Sequence, residues 1–169
     1  MEAEEFDDFY AASFRRLVHQ LHAMVGDRDE AQECVQEAFV RAWSHRRQLD
    51  RAQSPEAWVR TTAYRLAVSR WRRTVRSRRD ADRALQPPGH GDAPNEDHVA
   101  VITALRQLPE AQRRALVLHH LCDLPVDAVA AETGAPTGTV KARLSRGQGG
   151  PAALAALLGE APAEGASHV

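Results

Sequence analysis

Apolar residues recur every three or four positions through most of this 169-residue chain, which is the spacing of one face of an α-helix. The pattern is lost from Asp80 to about Asp97, where "LQPPGHGDAPNED" is rich in Pro, Gly and Asp. Such a composition is typical of a flexible linker. The alternation expected of a β-strand appears nowhere in the sequence. The chain is therefore predicted to be all-α, with two small helical modules joined by a flexible linker.

Residues that favour helix ends occur at several positions in both modules. An acidic first turn, a Ser before a Pro, and a Gly after an apolar run each mark such an end. The marked positions are Asp27 in an acidic first turn, Ser54 and Thr137 at N-caps, Pro55, Pro109 and Pro125 at a first helical position, and Gly134 at a C-cap. These marks predict three or four helices before the linker and four after it.

Charge is distributed unevenly, although the formal net charge is only −1. Residues 1–45 carry 10 acids and 4 bases, which gives −6, whereas residues 46–79 carry 2 acids and 11 bases, which gives +9. Residues 80–97 sum to −4, residues 98–150 to +2 and residues 151–169 to −2. The basic stretch favours a polyanionic partner, and the acidic stretch favours a basic protein surface.

The sequence favours a cytoplasmic protein without membrane insertion. No run of about 18 apolar residues is present, and the N-terminus "MEAEEFDDFY" is acidic, unlike a signal peptide. Cys34 and Cys122 stand apart in apolar helical contexts, with no CxxC pair. They are predicted to be buried free thiols.

The segment "GAPTGTVKARLSRG" places a short turn before a basic amphipathic helix, which is the sequence pattern of a helix-turn-helix. A rotation of about 100° per residue puts Val140 and Leu144 on the buried side. The opposite side has small residues that let base edges approach, and flanking cations that reach phosphates. The residues predicted to face duplex DNA are Thr137, Gly138, Thr139, Lys141, Ala142, Arg143, Ser145 and Arg146.

Three longer segments carry a family resemblance. In order they read "GDRDEAQECVQEAFVRAW", "SPEAWVRTTAYRLAVSRWRR" and "LRQLPEAQRRALVLHHLCDLPVDAVAAETGAPTGTVKARLSRG". Together they resemble the extracytoplasmic-function (ECF, group 4) sigma factors of bacterial RNA polymerase, in the sigma-70 family, over about residues 5 to 147. The resemblance implies region 2 at residues 1–79, a linker at 80–97, region 4 at 98–158 and a tail at 159–169.

The resemblance also implies a transcription initiation factor that is not an enzyme, needs no cofactor and binds core polymerase and promoter DNA. The helix after Asp27 resembles the one that docks on the clamp helices of the polymerase β′ subunit, and the β flap is a further expected contact. The docking residues so implied are Asp29, Glu30, Glu33, Gln36 and Glu37. Many members of the family are held inactive by an anti-sigma factor, so such a partner is also an expectation.

The arginine-rich second segment resembles the reader of the −10 promoter element, and region 4 resembles the reader of the −35 element. Reading unpaired −10 bases requires cations for the backbone and planar groups for stacking. The residues implied, together with the preceding loop, are Gln48, Asp50, Arg51, Arg60, Thr61, Tyr64, Arg65, Trp71, Arg72 and Arg73. Trp58 is interpreted as a core residue, and a core role is the alternative for Trp71.

The chain departs from the family after Arg146. The family usually continues a basic helix there, whereas Gly147, Gly149, Gly150 and Pro151 follow in this chain. These residues predict an early helix end, hence fewer phosphate contacts and a weaker or more partner-dependent −35 interaction. The next segment, "PAALAALL", is expected either to pack on the second module or to contact another protein.

Two other functions compete with the sigma factor hypothesis. A free-standing helix-turn-helix regulator would explain residues 98–147 but would leave the arginine-rich helix without a purpose. A metalloenzyme would have to use His119, His120, Cys122 and Cys34. Adjacent histidines point about 100° apart on a helix and do not readily share a metal, so no metal site is expected.

Overall fold

The structure, a computed structural model, describes residues 1–51, 54–81 and 96–146. Every regular element in this part of the chain is helical, which confirms the all-α prediction. The chain divides into two compact units, Met1–Asp92 and Ala93–Val169. The elements are α1 (Ala3–Val25), α2 (Arg28–Ser44), α3 (Arg46–Leu49), α4 (Pro55–Ala81), α5 (Glu96–Arg106), α6 (Glu110–Leu116), a π-helical turn (Val117–Leu121), α7 (Val126–Thr133) and α8 (Thr137–Arg146).

The first unit is built from three long helices, with α2 packed against both α1 and α4. The apolar side chains between them are buried, as the helical spacing predicts. The buried set includes Leu17, Leu21, Met24, Ala31, Val35, Ala38, Val59 and Ala63. Each buried Leu or Val side chain contributes about 1.5–3 kcal/mol, so packing stabilises these helices more than intrinsic propensity does.

A cluster of aromatic rings joins the first half of α1 to the second half of α2. The ring of Phe39 lies 6.2 Å from that of Phe6, 4.9 Å from that of Tyr10 and 6.1 Å from that of Phe14, between centroids. The rings meet edge-on or tilted, which their quadrupoles favour over a face-to-face stack. The cluster fixes the two helices as an antiparallel pair.

Side chains cap the start of α4, as the sequence predicts at Ser54, and also the start of α2. The backbone N–H of Ala57 donates to Ser54 Oγ at 3.2 Å, and Pro55 is the first residue of α4. The N–H of Glu30 donates to Asp27 Oδ1 at 3.1 Å at the start of α2. Each cap satisfies an N–H that the first turn of a helix leaves without an intrahelical partner.

Three predicted helix starts are wrong by one position. Pro109 and Pro125 occupy the N-cap, so α6 and α7 begin one residue later. Thr137 is the first residue of α8 rather than its N-cap, because the N–H of Val140 donates to the carbonyl of Pro136 at 3.1 Å. Proline fits both the N-cap and the next position, since its fixed φ suits either and it has no N–H to leave unpaired.

In the second unit, one helix predicted from "LPEAQRRALVLHHLCD" is interrupted. After α6 the chain makes the π-helical turn, in which the N–H of Cys122 donates to the carbonyl of Val117 at 3.0 Å. His119 Nδ1 lies 2.8 Å from the carbonyl oxygen of Leu124, and Asp123 has a φ of 53°. These contacts end the helix and turn the chain toward α7.

The helix-turn-helix predicted in the second unit is present. Gly134 ends α7 with a φ of 68°, the left-handed conformation that favours glycine. α8 then packs on α6 and α7. Val140 is fully buried, as predicted for the anchor, and Leu144 is half-buried. The anchor therefore directs the opposite side of α8 to the surface.

Helices cover both ends of the predicted linker at residues 80–97. α4 continues to Ala81 and α5 begins at Glu96. The rest of the predicted linker, residues 82–95, lies outside the described residues. So do residues 147–169, with the Gly147–Pro151 break and the "PAALAALL" segment.

Candidate nucleic-acid and docking interfaces

Helix α4 changes from a packed helix to an exposed one along its length. Val59 and Ala67 are buried in its first half, whereas from Trp71 to Arg78 every side chain except that of Val75 is exposed. The Trp71 side chain is 65% exposed. The cations of this exposed half are Arg72, Arg73, Arg76 and Arg78. An exposed aromatic ring among arginines offers stacking and charge together, which is what single-stranded nucleic acid requires.

The residues predicted to read the −10 element divide into an exposed and a buried group. Arg65, Trp71, Arg72 and Arg73 are exposed on α4, and Gln48, Asp50 and Arg51 are exposed in and after α3. Thr61 is half-buried. Arg60 and Tyr64 are only 4% and 7% exposed. The exposed residues can reach a ligand as the protein stands, whereas the two buried ones cannot do so while α4 stays packed.

Arg60 forms a buried contact between α4 and α1. Its Nη1 donates to Gln20 Oε1 at 3.1 Å, and Gln20 is buried as well. The sequence analysis did not identify Gln20, although a signal existed. Gln20 is three residues after Leu17 and four before Met24, and Arg60 is four residues before Tyr64. Both polar residues therefore fall on apolar helical stripes.

Aromatic and charged side chains lie close together between the end of α2 and the start of α4. The guanidinium carbon of Arg46 lies 4.4 Å from the centroid of the Trp43 ring, a cation–π contact. The Trp58 ring is half-buried, with its centroid 5.9 Å from that of His45. The carboxylate of Asp50 accepts a hydrogen bond from the N-terminal ammonium group. Residues 52 and 53 of the predicted base-holding loop lie outside the described residues.

Helix α2 carries the five residues predicted for docking. Asp29, Glu33 and Gln36 are exposed, and Glu30 and Glu37 are half-buried. The Glu37 Oε1 atom lies 3.1 Å from Arg41 Nε, one turn further along the same helix. The exposed carboxylates give α2 a negative face, to which a cationic protein surface is complementary.

Two of these carboxylates contact an arginine that the sequence analysis did not identify. Arg70 Nη1 lies 3.0 Å from Glu33 Oε2 and 3.6 Å from Glu30 Oε1. Arg70 therefore joins the exposed half of α4 to the acidic face of α2. Its position in the sequence gives no sign of this pairing, because the contact depends on where α4 crosses α2.

Cys34 lies beneath the same group of charges. It is fully buried, and its Sγ is 3.5 Å from Glu30 Oε1. Burial raises the pKa of the Cys34 thiol to about 12, and the negative charge of Glu30 adds to the rise. The thiol is thus neutral and unreactive in the folded protein. The prediction of a buried free cysteine is confirmed for Cys34 but is wrong for Cys122, which is half-buried.

The outer side of α8 carries the residues predicted to face duplex DNA. Thr137, Gly138, Lys141, Ser145 and Arg146 are exposed, and Thr139, Ala142 and Arg143 are half-buried. A Cβ atom added at Gly138 would meet no heavy atom within 4 Å. Packing inside the protein therefore does not require glycine at this position.

The residues of the alternative metalloenzyme hypothesis form no visible centre. Within residues 1–51, 54–81 and 96–146, no group of three or more His, Cys, Asp or Glu side chains is arranged to hold a metal ion. The His119 ring is engaged with a backbone carbonyl, as described above. Across the same part of the chain, no helix is both long and apolar enough to cross a membrane.

Comparisons with known proteins agree with both units. The family model "Sigma-70 region 2" matches residues 9–77, and "Sigma-70, region 4" matches residues 98–147. The ECF RNA polymerase sigma factor SigC of Mycobacterium tuberculosis (strain CDC 1551 / Oshkosh) is 33% identical over 129 residues, which cover 73% of this chain and 69% of SigC. The ECF RNA polymerase sigma factor EcfG of Rhodopseudomonas palustris (strain TIE-1) is 31% identical over 160 residues, or 90% of this chain and 83% of EcfG.

A solved structure supports the same fold. It is the sigma factor RpoE from Bartonella quintana, crystallised with the anti-sigma factor NepR, and it matches with a TM-score of 0.77 over 93% of this chain and 98% of that chain. Its sequence identity of 23% limits that comparison to the fold. Both region models match in the expected order, so the hypothesis of a free-standing helix-turn-helix regulator is not favoured. The chain belongs to the ECF sigma factors of bacterial RNA polymerase.

Proposed function

We propose that this sigma factor docks on core polymerase through α2, captures unpaired −10 bases with the exposed half of α4 and reads the −35 duplex with α8. The observation that carries the proposal is the exposed half of α4, where Trp71 is 65% exposed among four arginines. None of these side chains belongs to the buried apolar core of the unit. Their chemistry suits a single strand, because the ring stacks on a base while the cations contact phosphates.

The acidic face of α2 supports docking on a cationic partner. In the family that partner is the pair of clamp helices of the β′ subunit, and the β flap is the proposed contact of the second unit. Asp29 and Glu33 are exposed to such a partner. Opposite charges across an interface speed association and fix its orientation more than they raise affinity.

The outer side of α8 supports reading of the −35 element. Gly138, Ala142 and Ser145 have small side chains, which let a helix come close to base edges in the major groove. Lys141 and Arg146 flank them and can reach phosphates, which position the helix. Arg143 is half-buried and is proposed to contact the backbone from the same side.

The remaining partners follow from the same role. RNA synthesis would be carried out by the polymerase, so the sigma factor would need neither a catalytic residue nor a cofactor of its own. It would act in the cytoplasm, with the polymerase and the chromosome. An anti-sigma partner is proposed from the NepR complex of the structural neighbour RpoE.

The test of the −10 surface uses holoenzyme assembled from purified bacterial core polymerase. Its binding to a fluorescein-labelled single-stranded DNA of mixed sequence is measured by anisotropy. We expect Trp71→Ala to weaken binding by about 5- to 150-fold, because stacking contributes about 1–3 kcal/mol per base. Arg15→Gln removes an exposed arginine of α1 outside the proposed surfaces and serves as the control. Equal binding by Trp71→Ala and wild type would rule out this surface.

A further inference from the structure

Arg70 lies between the two surfaces assigned to the first unit. It sits on α4 immediately before Trp71, and its guanidinium contacts Glu33 at 3.0 Å and Glu30 at 3.6 Å on α2. Glu30 and Glu33 belong to the docking face, whereas Trp71 and the following arginines belong to the DNA-binding face. Arg70 therefore pairs with two carboxylates that a cationic partner would bind. While it does so, its guanidinium is not available to a DNA phosphate.

We propose that Arg70 couples partner docking to DNA capture, an inference that rests on the proposed function. A cationic partner that binds Glu30 and Glu33 displaces the guanidinium, which then contacts a phosphate of the captured strand. The partner thus frees Arg70 for DNA, and DNA bound to Arg70 frees Glu30 and Glu33 for the partner. Linkage requires the effect to be reciprocal, so DNA bound at Arg70 strengthens docking by the same factor.

The exposure of the three side chains makes this exchange feasible. Arg70 is 36% exposed, Glu30 33% and Glu33 65%, so water reaches the pair. Exposed ion pairs contribute at most about 1 kcal/mol, which corresponds to about fivefold in affinity. A competing ligand can overcome a contact of this strength. A fully buried pair would instead act as a permanent brace between the helices.

A nearby pair of charges provides a matched comparison. Glu37 pairs with Arg41 at 3.1 Å, but both residues belong to α2. Breaking that pair frees an arginine without freeing a cation on α4. The double variant Asp29→Asn/Glu37→Gln therefore removes two negative charges from α2, as Glu30→Gln/Glu33→Gln does, but leaves the contacts of Arg70 intact.

The first test uses the free, full-length chain and a fluorescein-labelled single-stranded DNA of mixed sequence. We expect Glu30→Gln/Glu33→Gln to tighten binding about threefold more than Asp29→Asn/Glu37→Gln, since only the former frees Arg70. Adding Arg70→Gln to both double variants should abolish the difference. The coupling is overturned if the two double variants gain equally, or if the difference survives the loss of Arg70.

The second test measures binding of core polymerase by the full-length chain. Arg70→Gln is expected to tighten docking about threefold, because Glu30 and Glu33 are then unoccupied, whereas Arg15→Gln should bind core polymerase like wild type. If Arg70→Gln binds core polymerase with the same affinity as wild type, the coupling is refuted and the proposed function stands. If the wild-type chain does not bind core polymerase, the proposed function falls, and the single-strand measurement still decides whether Arg70 competes within the free protein.

Discussion

Gly138, on the outer side of α8, is a residue at which stability and DNA binding should change in opposite directions. The position is helical and has open space around it. We therefore expect Gly138→Ala to raise the free energy of unfolding by about 0.5–1 kcal/mol, because alanine loses less conformational entropy in a helix. Urea unfolding followed by circular dichroism measures the change.

The same methyl group should weaken binding to duplex DNA if α8 approaches base edges closely at Gly138. Gly134→Ala provides a contrast, because Gly134 has a φ of 68°, a conformation that strains alanine and lowers stability. The holoenzyme's affinity for duplex promoter fragments measures the DNA effect. A stabilised Gly138→Ala variant with unchanged duplex affinity would contradict a close approach at this residue.

Cys34 should make the stability of the protein depend on alkaline pH. In the folded state the pKa of its thiol is raised from 9.0 to about 12 by burial and by Glu30. Between these values the folded state retains a proton that the unfolded state loses. This contribution is complete below about pH 8.5 and declines as pH rises toward 12.

Urea unfolding at pH 8 and pH 10 tests this linkage. The free energy of unfolding should fall between the two pH values, and Cys34→Ala should reduce the fall. Iodoacetamide at pH 8.5 should leave Cys34 unmodified in the native protein and modify it in urea. Rapid modification of native Cys34, or a pH dependence equal in both proteins, would argue against the buried neutral thiol.

At the scale of helices, the contact between Arg60 and Gln20 is expected to hold α4 on α1. Gln20→Leu should lower the free energy of unfolding by about 1–3 kcal/mol, because it removes a hydrogen bond from a buried guanidinium. Adding Arg60→Met should recover part of the loss, since both partners are then apolar. A double-mutant cycle in urea measures this coupling. Additive losses would show that the two side chains do not act together.

Helical spacing alone predicted the long helices and their buried faces. The same spacing places Gln20 and Arg60 on buried stripes, whereas the family resemblance implied a DNA contact for Arg60. The π-helical turn was not predictable from periodicity, because it depends on contacts such as that of His119 with the Leu124 carbonyl. The pairing of Arg70 was not predictable either, since it depends on how α4 crosses α2.

At the scale of the whole molecule, we propose that the two units carry different kinds of nucleic-acid surface. The first has an arginine-rich helix with an exposed tryptophan, proposed to bind a single strand, and an acidic helix face proposed for docking. The second has a short helix with small residues, proposed to enter the groove of a duplex. The two region models match these units separately, at residues 9–77 and 98–147. An initiation factor needs both surfaces, because it recognises a duplex element and a melted one.

Run-off transcription is the most direct test of this account. Purified bacterial core polymerase is incubated with fragmented genomic DNA from the source organism, with and without the full-length protein. The account predicts new transcripts that depend on the protein and whose start sites share two short upstream sequences. An absence of new transcripts, while the protein alone still shifts specific duplex fragments, would contradict it.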